Sequence, residues 1–137
     1  PTEIYEQPTH RFVADFIGQT NLIDATAVEH DTVMLANGLR MWAPSEHPAG
    51  TRVAVSLRPE AIHIGRRESV PAEFSETSLE GVVRSVTYLG SALVCRVFVG
   101  WTELEVRYEL PGDGERWTVG DEVAVWWDRR ANWVVSA

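Results

Sequence analysis

The sequence contains no lysine and only one cysteine, Cys95, and each shortage excludes a class of chemistry. A phosphate-binding P-loop needs a lysine that reaches the β- and γ-phosphates, so this chain holds no such loop. One cysteine cannot form an internal disulfide or a multi-cysteine zinc site. No apolar run approaches the roughly 20 residues that a membrane-spanning helix needs. These shortages predict an ordinary globular chain in a cytoplasmic setting.

The charge balance is acidic, which bears on the choice of partner. All 12 basic residues are arginine, and 20 acidic residues bring the formal net charge to -8. An acidic surface repels phosphate backbones, so nucleic acid is not expected as a partner. The six tryptophans could stack on the bases of a single strand, but such platforms work together with basic grooves. We expect the tryptophans to fill the core, cover barrel ends or form a subunit contact instead.

The residues that most often carry catalysis or bind metals are scattered. Glu60 and His63 have the closest ligand-like spacing, but on a strand they would point to opposite faces and would not chelate one ion. Cys95 alternates with apolar neighbours in "ALVCRVFVG", which indicates a buried core residue rather than a reactive thiol. No G-x-S-x-G or G-x-G-x-x-G pattern occurs. We therefore predict no catalytic, cofactor-binding or metal-binding residue in this chain.

The hydrophobic pattern predicts one short helix followed by many strands. Phe12, Val13, Phe16 and Ile17 repeat at helical spacing, which predicts a helix over His10–Ile17 with Gly18 as its C-terminal cap. The rest alternates with period two and has glycine and proline at the joints, which favours an all-β barrel or sandwich. The expected strands are Leu22–Val28, Thr32–Leu35, Leu39–Trp42, Arg52–Leu57, Ala61–Ile64, Leu79–Tyr88, Ala92–Val99, Glu103–Tyr108, Glu122–Trp127 and Trp133–Ser136.

The polar stretch Arg66 to Ser78 is interpreted as a connector between two β-rich halves, about 21–66 and 79–137. The two halves have a similar rhythm, without a clear internal repeat. In the first half, Asn37-Gly38 permits the positive φ angles of a tight hairpin turn between two apolar runs.

The most distinctive interior motif is "SLRPEAIHI". Pro59 cannot donate to a strand ladder, so it is expected to end or bend the strand that begins at Arg52. Arg58 and Glu60 flank it and are long enough to pair with a neighbouring segment. Two interpretations remain open: a fixed corner held by an ion pair, or a contact with another subunit or domain.

Taken together and in order, five motifs resemble the C-terminal regulatory region of ATP-binding subunits of ABC-type importers. The resemblance is to the spermidine/putrescine and ferric-ion type, with maltose-type subunits as wider relatives, and it spans nearly the whole chain. The motifs are "EIYEQP" at Glu3 to Pro8, "RFVADFIGQTN" at Arg11 to Asn21, "SLRPEAI" at Ser56 to Ile62, "GVVRSVTYLG" at Gly81 to Gly90, and "VGDEV" at Val119 to Val123.

The resemblance implies a fold and a place in a larger protein. Residues 1–20 would be a linker and short helix that lead from an upstream nucleotide-binding domain, and 21–137 would form a TOBE-type domain with an OB-like small barrel. Pro1 would then be a boundary inside a longer subunit. That subunit would bind ATP and Mg²⁺, whereas this chain would carry no cofactor and would not be an enzyme.

The resemblance also implies partners and a location. The domain would support dimerisation with a second copy and would tune ATPase activity, beside transmembrane permease subunits at the inner face of the membrane. Two motifs match the family best and are assigned architectural or interface roles, namely Arg58, Pro59 and Glu60, and Tyr88, Leu89 and Gly90.

Two other functions remain as alternatives. The first is a stand-alone TOBE or OB module that binds a small ligand or an oxyanion, because arginines can donate hydrogen bonds to an anion and barrel mouths often hold ligands. The second is a single-strand nucleic-acid binder, which the acidic charge disfavours.

Overall fold

A computed structural model describes residues 20–29, 31–109 and 116–136. The helix predicted for His10–Ile17 lies outside the described residues. The described part confirms the all-β class, with the strands joined by turns and four short 3₁₀ turns. No helix among the described residues is long and apolar enough to cross a membrane. The strands are β1 Asn21–Val28, β2 Thr32–Leu35, β3 Arg40–Trp42, β4 Arg52–Leu57, β5 His63–Gly65, β6 Leu79–Leu89, β7 Ala92–Phe98, β8 Glu103–Glu109, β9 Glu122–Trp126 and β10 Trp133–Ser136.

The chain divides into two compact units, and the first consists of residues 1–58 and 128–137. Its described part is an antiparallel five-stranded sheet in the order β10-β4-β1-β2-β3. Alternate residues of β1 are buried, as expected for a strand with one face on a core. β4 is buried along nearly its whole length because it lies inside the sheet, between β10 and β1.

The second unit, Pro59–Trp127, contains an antiparallel sheet in the order β5-β9-β6-β7-β8. The long strand β6 pairs with β9 near its start and with β7 over most of its length. The register with β7 shifts between Val83 and Ser85, which marks a bulge in β6. The core of this unit includes three buried tryptophans: Trp117, Trp126 and Trp127.

The two sheets have the same strand order, which reveals a repeat that the sequence pattern did not. In the first unit the amide of Ala27 donates to the carbonyl of Thr51, and that of Gly50 donates to Ala27. In the second unit the amide of Val83 donates to the carbonyl of Asp121, and the amide of Gly120 donates to the carbonyl of Val83. Gly50 and Gly120 have φ angles of 91° and 98°, and each is followed after two residues by the triplet Val-Ala-Val. The units are therefore structural equivalents, with β1 to β4 matching β6 to β9.

The fifth strand of each sheet comes from a different place in the chain. β4 is followed by a 3₁₀ turn, Pro59–Ala61, and then by β5, which pairs in the second sheet. β9 is followed by a 3₁₀ turn, Arg129–Ala131, and then by β10, which pairs in the first sheet. The first turn thus connects β4 of the first sheet to the edge strand β5 of the second sheet. The other turn connects β9 of the second sheet to the edge strand β10 of the first sheet.

Several local expectations differ from the structure in detail. The strand expected over Ala61–Ile64 is a 3₁₀ turn followed by β5, because Pro59 favours the φ angle of a turn. Of the pair Asn37-Gly38, Gly38 alone takes a positive φ, 87°, and its amide donates to the carbonyl of Leu35. The stretch between β5 and β6 contains two further 3₁₀ turns, Arg67–Ser69 and Ala72–Phe74.

Candidate functional site

The corner predicted around Pro59 lies where the chain passes from the first unit to the second. β4 ends at Leu57, Arg58 is exposed, and Pro59 is buried at the start of the 3₁₀ turn that contacts β8. The carbonyl of Pro59 accepts a hydrogen bond from the amide of Ile62 at 3.4 Å. Glu60 is exposed on the same turn. The geometry is that of a corner, and the interface role of these residues stays a prediction.

The second predicted motif lies at the tip of the β6–β7 hairpin. Tyr88 and Leu89 end β6, and Gly90 takes a φ of 63° in the turn that leads to β7. The Tyr88 and Leu89 side chains are 53% and 49% exposed. The guanidinium carbon of Arg116 lies 5.9 Å from the centroid of the Tyr88 ring, within the range of a cation–π contact. This tip offers an apolar contact surface, on a different element from the Pro59 corner.

Two of the residues considered for reactive or metal chemistry, Cys95 and His63, make packing contacts. The Cys95 side chain is fully buried, as predicted, and burial raises the pKa of its thiol to about 11, against the opposite effect of a hydrogen bond with Tyr108. The His63 ring stacks on Trp126 with centroids 5.9 Å apart, whereas Glu60 belongs to the preceding turn. Within the described residues no group of three potential metal ligands comes together.

The structure reveals a cavity in the first unit that sequence reasoning missed. It lies beside the edge strand β10 and has a volume of about 580 Å³. Its walls are formed by three segments that are distant in sequence: Asp31 from the β1–β2 turn, residues 44–47 after β3, and β10 itself. Its described lining consists of Asp31, Pro44, Ser45, Glu46, His47, Trp133, Val134 and Ser136.

Side-chain hydrogen bonds hold the loop after β3 in place along this cavity. The carboxylate Oδ1 of Asp31 accepts from the amide of Ser45 at 3.1 Å, and the carbonyl of Asp31 accepts from the amide of Ala43 at 2.8 Å. Asp31 has a φ of 52°, in the left-handed region that aspartate tolerates better than most residues. The Oγ atom of Ser45 accepts from the amide of His47 at 3.1 Å and lies 3.0 Å from the ring Nδ1 of His47.

His47 also spans the cavity toward β10. Its Nε2 lies 3.4 Å from the Oγ of Ser136. If the Ser45 hydroxyl donates to Nδ1, the ring hydrogen lies on Nε2 and points to Ser136. The serine hydroxyl on β10 can then accept from the histidine and donate its own hydrogen elsewhere. The loop and the edge strand are therefore joined by side chains, with the cavity between them.

A second link, between β3 and the segment that precedes β10, lies nearby. The side-chain Nδ2 of buried Asn132 donates to the carbonyl of Trp42, the last residue of β3, at 2.9 Å. The guanidinium carbon of Arg129 lies 5.4 Å from the Trp42 ring centroid. Because β3 and β10 are the two ends of the sheet, these contacts bring the sheet toward closure as an OB-like barrel.

The described lining of the cavity contains two acidic side chains. Asp31 and Glu46 are its charged carboxylates, and its described lining contains no arginine. Among the described residues, no arginine forms an ion pair with Asp31 or Glu46. Such a lining accepts hydrogen bonds from a donor and repels an anion. The oxyanion site that the arginine content suggested is therefore not formed by this cavity.

Comparison with protein families gives a match over more than half of the chain. Residues 55–135 match the model of the TOBE domain. The matched segment begins within β4 and ends within β10, so it contains all of the second unit and a part of each of these two strands of the first sheet.

Comparison with individual proteins gives relatives of one functional kind. The chain is 35% identical to the spermidine/putrescine import ATP-binding protein PotA of Ruegeria pomeroyi, covering 91% of this chain and 34% of that protein. It is 35% identical to PotA 2 of Pseudomonas aeruginosa, covering 100% of this chain and 40% of that protein. It is 28% identical to the maltose/maltodextrin import ATP-binding protein MalK of Photorhabdus laumondii, covering 88% of this chain and 34% of that protein. The chain thus spans little more than a third of these relatives.

Comparison with solved structures supports the fold. The molybdate-bound structure of the cytoplasmic molybdate-binding protein ModG superposes with a TM-score of 0.69 at 12% identity. The superposition covers 85% of this chain and 96% of that chain. At this identity the likeness concerns the architecture, which is OB-like.

Proposed function

The chain belongs to the TOBE domain family, and from this premise we propose that it is the accessory, regulatory domain of the ATP-binding subunit of an ABC-type importer. The observation that carries the proposal is the near-complete coverage of the chain by one region of import ATP-binding proteins. In this role the domain carries out no chemistry. ATP and Mg²⁺ are bound by the nucleotide-binding domain of the same subunit, which acts at the inner face of the membrane with permease subunits.

We propose a polyamine-type cargo for the importer. The support is that relatives at 35% identity are named for spermidine and putrescine import, whereas the maltose-type relative is 28% identical. The domain itself does not select the cargo, because the permease subunits form the path across the membrane.

Within the subunit, the domain is proposed to support dimerisation with a second copy. The hairpin tip of Tyr88, Leu89 and Gly90 is the better candidate for the contact, because two large apolar side chains are exposed there beside Arg116. Arg58, Pro59 and Glu60 are proposed to fix the direction in which the chain leaves β4. Pro59 is buried in that corner, which favours an architectural role over an interface role.

The test uses the full-length subunit encoded by the reading frame that contains these residues. We expect that frame to encode a G-x-x-x-x-G-K-[ST] loop upstream. Removal of residues 21–137 from the purified subunit should lower the dimer mass measured by light scattering and change its ATPase rate. The isolated chain should hydrolyse no ATP. Equal dimer mass and equal ATPase rate with and without the domain would contradict the proposed role.

A point variant makes the interface part of the proposal sharper. Leu89→Ser should shift the subunit toward monomer without lowering the Tm of the domain, because Leu89 is half exposed. A matched control is Val119→Ser, since Val119 is also an exposed apolar residue, at 61%. If both variants change the dimer fraction equally, the hairpin tip is not the specific contact.

A further inference from the structure

We propose that the sizes of a few side chains direct the edge strand β5 to β9 and the edge strand β10 to β4. Residues 58–62 alone separate β4 from β5, and residues 127–132 alone separate β9 from β10. Such short connections join neighbouring antiparallel strands as hairpins, at a lower cost in chain entropy than a distant pairing. Both edge strands nevertheless pair in the other sheet, so the local hairpins must be disfavoured. The inference does not rest on the proposed function.

In the second sheet the large side chain belongs to the inner strand. Trp126 of β9 is buried opposite His63 of β5, and their rings stack with centroids 5.9 Å apart. Gly65 lies two residues along β5, on the same face as His63 and Trp126. A Cβ atom at Gly65 would lie 2.9 Å from Cη2 and 3.3 Å from Cζ3 of the Trp126 ring. β9 therefore matches an edge strand that has no side chain at this position.

In the first sheet the sizes are reversed. The equivalent pairs are Ser56 of β4 opposite Trp133 of β10, and Ala54 opposite Val135. Ser56 is buried, and its Oγ lies 2.9 Å from the Oγ1 of Thr20. The tryptophan and the branched side chain thus belong to the edge strand, whereas the inner strand has serine. Each sheet has one tryptophan in this pair of positions, from opposite strands.

The local hairpins would mismatch these sizes. In the same register, a hairpin of β9 and β10 would set Trp133 opposite Trp126, and Val135 would take the position of Gly65 against the indole ring. Overfilling a packed face in this way is destabilising. A hairpin of β4 and β5 would set His63 and Gly65 beside Ser56, which leaves space unfilled. Because one hairpin is overfilled and the other underfilled, the sizes favour the observed exchange of edge strands.

The experiment exchanges residues between equivalent positions of the 137-residue chain. The inner-strand variant carries Ser56→Trp and Trp126→Ser. The edge-strand variant carries His63→Trp, Gly65→Val, Trp133→His and Val135→Gly. Either variant alone mismatches both observed pairings, whereas the combination of all six changes restores the match in each sheet. In denaturant unfolding, each variant alone should lower the folding equilibrium constant about tenfold or more, and the combination should recover most of this loss.

Nuclear Overhauser contacts between backbone protons report which strands pair. In the parent chain and in the combined variant, they should join β5 to β9 and β10 to β4. In either variant alone these contacts should weaken, or contacts of the hairpins β4–β5 and β9–β10 should replace them. The control is Ser56→Ala, which removes the contact with Thr20 but keeps a small side chain, so the observed pairing should persist.

A smaller cycle decides the matter where an exchange variant does not fold. Gly65→Ala should lower the folding equilibrium constant about fivefold or more in the parent chain, and much less in a chain that carries Trp126→Leu, because the shorter side chain frees the space above Gly65. Additive losses for the two exchange variants, loss of the observed pairing in Ser56→Ala, or an equal effect of Gly65→Ala with and without Trp126→Leu would each overturn the proposal.

Discussion

The two units of the chain have the same strand order, but the edge strands of their sheets come from different parts of the chain. The second unit, Pro59–Trp127, is continuous in sequence and contains all five strands of its sheet. The first unit is discontinuous, because its edge strand β10 arrives from the far end of the chain. The first unit therefore depends on the pairing of two segments that are distant in sequence, and the second unit does not. Bringing distant segments together costs chain entropy before their contacts form.

The units also differ in how the equivalent positions are filled. The residue after the 3₁₀ turn is Ile62 in one case and Asn132 in the other, and both are buried. On β1 the residue opposite Val53 is Ala25, whereas on β6 the residue opposite Val123 is Gly81. A repeat of this kind keeps the backbone hydrogen bonds while the side chains at equivalent positions diverge.

The largest expected effect comes from removing β10. A chain that ends at Trp127 lacks Val134 and Val135, whose burial alone contributes about 3–6 kcal/mol, and it also lacks the Asn132 bond to Trp42. We expect the first unit to lose its protected amides in hydrogen exchange while the second unit keeps them. The buried thiol of Cys95 is a second reporter for the second unit, and it should stay unreactive toward a thiol reagent at pH 8.

Either of two results would contradict the claim that only the first unit depends on β10. If amides in β1 and β4 of the shortened chain remain as protected as before, the first unit does not depend on β10. If Cys95 becomes reactive at once, the second unit is not independent of the first. A chain restricted to Pro59–Trp127 gives the matched control, because it contains every strand of the second sheet.

The next effect concerns Gly81 and its equivalent Ala25. A Cβ atom added at Gly81 would lie 2.6 Å from Val97 Cγ1 and 2.8 Å from the backbone oxygen of Phe98, and the backbone cannot yield as a flexible side chain can. We expect Gly81→Ala to lower the free energy of unfolding by about 1–3 kcal/mol. Ala25→Gly, at a site that already holds a Cβ, should cost about 0.5–1 kcal/mol. Denaturant unfolding measures both, and a stabilising Gly81→Ala would contradict the close packing.

An effect of similar size is expected from exchanging Ile62 and Asn132, the residues that follow the two equivalent 3₁₀ turns Pro59–Ala61 and Arg129–Ala131. Asn132→Leu removes the donor to the carbonyl of Trp42, which should cost about 1–3 kcal/mol. Ile62→Asn places an amide where the second unit has an apolar contact, and should cost at least about 2 kcal/mol. Thermal unfolding measures both variants. If Asn132→Leu is as stable as the parent chain, the link between β3 and the segment before β10 does not hold the sheet closed.

The sequence predicted the strands better than their arrangement. Periods of two residues and turn-forming glycines placed most strands within a residue or two, because these signals are local. The exchange of edge strands was not predicted, since a buried strand has the same pattern whichever sheet it joins. The composition indicates a polar connector at Arg66 to Ser78, and the two compact units divide the chain at Arg58-Pro59 and at Trp127-Asp128.

The cavity was beyond sequence reasoning for a related reason. Asp31, His47 and Ser136 are ordinary residues in three separate stretches, and no spacing rule connects them. Only the pairing of β10 with β4 and the course of the loop after β3 bring them to one place. The family resemblance, by contrast, depended on short motifs in chain order, which need no knowledge of the fold.

The smallest expected effect is a difference in pH dependence between the 3₁₀ turns Pro59–Ala61 and Arg129–Ala131. The Asp128 carboxylate accepts from the Arg130 side chain and from its backbone amide, and these bonds hold the pKa of Asp128 well below its usual range. The equivalent position before the other turn is Arg58, which has no carboxylate. A depressed pKa means that the stabilisation is present above the unfolded pKa of about 3.9 and is lost as the pH falls further. The Tm difference between the parent chain and Asp128→Asn should therefore be constant above about pH 5 and shrink below about pH 4, and a difference that grows toward acid would contradict this assignment.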